Sequence, residues 1–148
     1  MPGIIVGMDG SAHSQRALRR AIKEAAVHDE PLTVIAIHQA VVGYAGGALT
    51  YPQDASETER ARAAAQAETD KALAEADAPR PPSVTVTAVH GIPAEVLVNA
   101  SKDADMIVLG GHGTGGLGHV LMGSVVGKVT HQAACPVLIV TAEHHNHG

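Results

Sequence analysis

Two hydrophobic periods alternate along this chain. Ile4-Ile5-Val6 is a short β-branched run that ends in Gly7-Met8-Asp9-Gly10-Ser11, which reads as a buried strand and a turn. Apolar residues then recur as Ala17/Leu18, Ala21/Ile22 and Ala25/Ala26, with Arg16, Arg19, Arg20 and Lys23 largely opposite. That spacing predicts a helix from about Ser11 to Val27. Leu32-Thr33-Val34-Ile35-Ala36-Ile37 is a second near-continuous apolar strand. Residues 39–56 hold Gly43, Gly46, Gly47, Pro52 and both tyrosines, and predict a long, mobile loop.

The second half repeats the alternation. Ser56 with Glu59 has the form of a capping box, and an Ala/Glu/Arg-rich helix follows to about Ala76. Its apolar face is almost all alanine plus Leu73, so it is expected on the surface with thin packing. Val84-Thr85-Val86-Thr87-Ala88-Val89 is a third strand. Gly91-Ile92-Pro93 puts proline at the first position of a helix whose inner face is Val96, Leu97 and Ala100. Met106-Ile107-Val108-Leu109 is a fourth strand, Val125 and Val129 mark a last helix, and Pro136-Val137-Leu138-Ile139-Val140 is a fifth strand. Apolar strands separated by helices imply an α/β fold, a parallel sheet covered on both faces. Ligands of such folds sit beyond the carboxyl ends of the strands, which directs attention to the turns after strands 1 and 4.

Composition narrows the chemistry. At 148 residues the chain is one domain's worth, read as residues 1–142 with a His-rich tail at 143–148. Phe and Trp are absent and Tyr appears twice, so the core is built from Val, Ile, Leu and Ala. An aromatic cage and a stacking platform for single-stranded nucleic acid are thereby excluded. Ten basic against fifteen acidic residues leave a net charge of −5, with no footprint for a nucleic-acid partner. The single cysteine, Cys135, excludes an internal disulfide framework, points to a cytoplasmic setting, and reads as a small buried residue rather than a reactive thiol. No leader pattern and no run of membrane-spanning length stands out, so no membrane partner is expected.

The glycine distribution is the strongest local signal. Eight of the sixteen glycines fall between residues 110 and 127, directly after strand 4. Gly110-Gly111-His112-Gly113-Thr114-Gly115-Gly116-Leu117-Gly118 exposes backbone N–H groups and leads to Gly123-Ser124 at a helix start. It reads as a phosphate cradle in preference to a plain surface loop. Gly113-x-Gly115-x-x-Gly118 fits the dinucleotide pattern only formally, since several residues separate it from the next helix. Gly127-Lys128 lacks the rest of a P-loop. Asp9 is placed to accept from a base or ribose, or to cap its own turn. No zinc-type spacing occurs among the ten histidines, and His144, His145 and His147 read as a disordered terminus. Asp9, Ser11 and His13 are too close in sequence to read as a triad.

Together these residues resemble the universal stress protein domain in its nucleotide-binding branch, close to actinobacterial single-domain members. That branch carries G-x-x-G, nine residues, then G-[S/T]; here these are Gly110, Gly113, Thr114 to Met122, and Gly123-Ser124. Asp9, the Gly91-x-Pro93 turn and the Cys135 to Val140 run also look like the family. The resemblance implies a three-layer sandwich with a five-stranded parallel sheet of order 3-2-1-4-5, adenine nucleotide α-hydrolase-like, that binds ATP with Mg²⁺ as a homodimer. It places Asp9 at the adenosine end with Gly7 and Met8, and Leu109, Gly110, His112 and Gly113 around ribose and phosphates. Gly123, Ser124, Val125 and Val126 then bind phosphate. Val126 stands where the family usually has a hydroxyl, and Gln39 where it often has an apolar wall for adenine; both bear on nucleotide choice, cyclic AMP included. Strand 5, strongly apolar and last in the chain, is the expected dimer edge through residues 136–141. Three functions follow: a stress-response ATP-binding module, a slow ATPase or self-phosphorylating enzyme, and a nucleotide-free dimeric scaffold.

Overall fold

The computed structural model describes residues 3–38, 43–45, 48–50, 55–76, 79–111 and 125–141. Five parallel strands form the main sheet: β1 (Ile4–Met8), β2 (Leu32–His38), β5 (Val84–His90), β6 (Met106–Gly110) and β7 (Val137–Val140). Their spatial order is β5-β2-β1-β6-β7. Counting these five alone, that is 3-2-1-4-5, as expected. Helices α1 (Ala12–His28), α2 (Ala55–Glu75), α3 (Pro93–Ser101) and α4 (Val125–Gln132) cover it.

The alternation of buried residues along the strands builds two cores, one per face. Ile4, Val6 and Met8 of β1 join Val34 and Val108 against Leu18, Ala21, Ile22 and Ala25 of α1 and Ala72 of α2. On the other face Ile35, Ile37, Ile107 and Leu109 pack with Ala94 and Leu97 of α3 and Val129 of α4. Period 2 in the strands thus feeds two helical layers of period 3.6, and the result is the three-layer sandwich.

Caps define α1 at both ends. The Ser11 side chain accepts from the Ser14 N–H at 3.2 Å, and Asp29 closes the helix in the left-handed region at φ 55°. Pro93 begins α3, as the turn chemistry predicts.

Three expectations need correction. The 39–56 segment contains an antiparallel pair, β3 (Gly43–Ala45) and β4 (Ala48–Thr50), where a loop without strands is expected. Strands of three residues are too short to show a period. Helix α2 starts at Ala55, so Ser56 lies inside the first turn rather than ahead of it as a cap. Finally, Cys135 is half-buried, not buried. Partial burial raises its thiol above the ordinary value, which still favours the unreactive reading.

Helix α2 packs as its alanines suggest, with Ala65 and Ala72 buried. Between them Thr69 is fully buried, its hydroxyl donating to the Ala65 carbonyl at 2.7 Å. Local bonding is what permits a polar residue there. Among the described residues, no helix is long and apolar enough to cross a membrane.

Candidate functional site

Strand order reverses between β1 and β6, because the chain leaves β1 toward β2 and returns on the other side. Two loops separate at such a point and leave a crevice above the strand ends. A cleft of about 180 Å³ lies there. That is smaller than the ~300–1,000 Å³ typical of drug-sized ligands.

The β1 end supplies Gly7, Met8 and Asp9 to the cleft, the β6 end supplies Leu109 and Gly110, and α4 supplies Val125 and Val126. These seven are all the sequence-predicted site residues that lie within the described part of the chain. Gln39, His112, Gly113, Gly123 and Ser124 lie outside the described residues.

Glycines shape this cleft in two different ways. A Cβ at Gly7 would stand 3.3 Å from both methyls of Leu97, so a side chain there would take up cleft space against α3. At Gly110 a Cβ would collide with the backbone carbonyl of His13. Gly110 therefore lets the first turn of α1 lie directly on the end of β6. The Gly111 N–H donates to the Val140 carbonyl at 2.9 Å, so it is already used by the sheet.

Asp9 is the one carboxylate among the described lining residues. Its Oδ1 accepts from the Ser11 N–H at 2.9 Å, and its own N–H donates to Ser14 Oγ at 3.4 Å. Burial alone would raise its carboxyl; hydrogen bonds from Ser11 and Ser14 outweigh it and hold the carboxyl below its ordinary value. Ser14 is itself anchored by donating to the Ser11 carbonyl at 2.9 Å. The charge is thus kept and held in place beside the cleft.

The rest of the wall comes from residues that sequence reasoning missed: Ser11, His13 and Ser14 of the α1 start, Ile37 of β2, and Pro93 and Leu97 of α3. Ile37 lies two residues before position 39, where an adenine wall is expected, and the period of two along a strand could have suggested it. Leu97 was read as core, and it is both core and wall. Nothing in local sequence marks His13. No cluster of three metal-ligating side chains occurs among the described residues.

Residues 2–141 match the model of the universal stress protein family. A universal stress protein of Mycolicibacterium smegmatis is 36% identical over 139 residues, 93% of this chain and 47% of that protein. One from Thermus aquaticus is 33% identical over 139 residues and is covered to 96%. The chain spans about half the length of the mycobacterial relatives it matches and nearly all of the Thermus one. Among solved structures, universal stress protein UspA from Lactobacillus plantarum gives a TM-score of 0.71 at 21% identity, with 94% of this chain and 97% of that one covered. A universal stress protein in complex with cAMP gives 0.65 at 24% identity, with coverage of 95% and 96%.

Proposed function

This chain belongs to the universal stress protein family, and we propose that it acts as an ATP-binding regulatory module of the stress response, cytoplasmic and homodimeric. The observation that carries this reading is the cleft at the switch point, which gathers residues from β1, β6 and α4 that lie far apart in sequence. An aliphatic floor of Ile37, Leu97 and Leu109 receives the base, Asp9 accepts from the adenosine end, and Val125 and Val126 open the helix that follows the phosphate motif. In the same reading His112, Gly113, Gly123 and Ser124 hold the phosphates, with Gln39 beside the base. Mg²⁺ comes with ATP. The dimer forms through β7, which pairs with β6 on one side only among the described strands and is apolar throughout.

The experiment is to denature the purified protein and identify any small molecule released, then to measure ATP binding by calorimetry. Gly113→Val is expected to abolish binding while native mass spectrometry still shows a dimer. Unchanged affinity in that variant rejects the phosphate cradle, and a dimer that neither retains nor takes up nucleotide favours the scaffold reading. Radiolabelled ATP tests the enzyme alternative: phosphate release no greater than that of a Gly123→Trp control removes it. Cyclic AMP is the second ligand reading, favoured by Val126 in place of a hydroxyl and by the cAMP-bound relative. Competition between ATP and cAMP in one titration separates the two.

A further inference from the structure

The ten histidines show no metal-type spacing along the chain, yet the sheet sets two of them side by side. His38 ends β2 and His90 ends β5, and the parallel register pairs them directly. Residues paired in this way stand on the same face of a sheet. The two rings meet edge to face, with centroids 5.2 Å apart and planes at 65°. The Gly91 N–H donates to the His38 carbonyl at 3.0 Å, which fixes the backbone beneath both rings.

Hydrogen bonding leaves this pair incomplete. His90 Nε2 is buried without a hydrogen-bond partner. A buried imidazole nitrogen in that state forfeits the bonds it has in water. His38 Nε2 meets the Thr58 hydroxyl of α2 at 3.3 Å, a long contact. No carboxylate of the described residues forms an ion pair with either ring. Thr58 places the pair on the α2 face of the sheet, whereas the neighbouring Ile37 packs with α3 and lines the cleft.

Neutral imidazoles are ligands for Zn²⁺, Ni²⁺ and Cu²⁺. Two rings on one tetrahedral ion, each bound through a nitrogen at ~2.0 Å, have their centres about 5 Å apart. The pair already has that spacing. Side-chain rotation therefore suffices to turn one nitrogen of each ring toward a common point, with both strands left in place.

We propose that His38 and His90 form a two-imidazole site for a borderline divalent cation of the Zn²⁺ class. The ion takes the orphaned His90 Nε2 and the His38 Nε2, and the Thr58 hydroxyl turns from His38 to a water on the ion. Two protein ligands leave the other positions to water, so the site is open and exchangeable, unlike a closed structural one. It lies apart from the cleft and stands independently of the nucleotide reading.

Zn²⁺ calorimetry of the full chain tests it. The reference protein carries His144→Ala, His145→Ala and His147→Ala, so that the tail histidines capture no metal. It is expected to bind Zn²⁺. His38→Phe and His90→Phe, each made in that reference, keep a ring in place but remove its nitrogens, and each is expected to weaken binding at least about tenfold. Imidazole ¹⁵N NMR of the reference needs no change at the site: Zn²⁺ is expected to shift the nitrogens of both His38 and His90. Affinity that survives both Phe variants overturns the inference, and so does a loss in only one of them, which marks a single-histidine contact. Shifts confined to other histidines, or a reference that binds no Zn²⁺, overturn it as well.

Discussion

The two ends of the sheet each carry a carboxyl, and their surroundings push in opposite directions. At the cleft end, hydrogen bonds from Ser11 and Ser14 overcome the desolvation of Asp9 and keep it ionised. At the base, Glu30 stands between α1 and β2, and its carboxyl is raised chiefly by a hydrogen bond with Asp105, with burial adding and His28 opposing. Its Oε1 is buried without a partner. The base is also where connections crowd together: Asp105 N–H donates to the Gly3 carbonyl at 2.8 Å, and Ile4 N–H to that of Pro31 at 2.9 Å. The difference shows that one end is furnished with donors that fix a charge, while the other sets Glu30 beside a second carboxyl, which raises it.

The largest expected effect comes from removing the close approach at the cleft end. Gly110→Ala drives a Cβ into the His13 carbonyl and is expected to cost about 3 kcal/mol in urea unfolding. Gly10→Ala, three residues before His13, has open space around it but a φ of 85°, and is expected to cost only about 1 kcal/mol. Similar losses in both variants would mean that backbone conformation, and not the α1–β6 contact, limits this end.

Next in size are the carboxyls, whose pH dependences oppose each other. The lowered Asp9 contributes stability above its ordinary value of 3.8 and loses it as pH falls through the lowered value. The raised Glu30 contributes below its ordinary value of 4.5 and loses that contribution as pH rises through the raised value. Asp9→Asn is therefore expected to destabilise at pH 7, with the deficit closing in acid. Glu30→Gln is expected to stabilise at pH 7, with the gain vanishing near pH 4. Urea midpoints between pH 3 and 7 check both, and same-sign slopes would erase the contrast between the ends.

The smallest effect is local to the cleft. Val126→Thr restores a hydroxyl to the wall and is expected to raise ATP affinity about threefold, one modest hydrogen bond, with little change in stability. Calorimetry reads it, and an unchanged affinity would place position 126 outside ligand reach.

Most of the fold was legible because its signals are long. Runs such as Leu32 to Ile37 and the four-residue recurrences of α1 each extend over several periods. The β3–β4 pair escaped because three residues cannot display a period, and Ser56 because a capping pattern one residue inside a helix looks like one at its start. Asp9, Gly110 and Val126 could be placed in the site because strand ends and a motif position mark them. His13, Ser14 and Leu97 could not, since their part in the wall depends on how α1 and α3 lean over the sheet. Gly110 was read as an approach for a ligand, and it is at least as much an approach for the α1 backbone.

No Phe, Tyr or Trp lines the cleft among the described residues. A ligand held there displaces water from aliphatic walls. Capture is thus expected to register as a negative heat-capacity change, read from calorimetry at several temperatures.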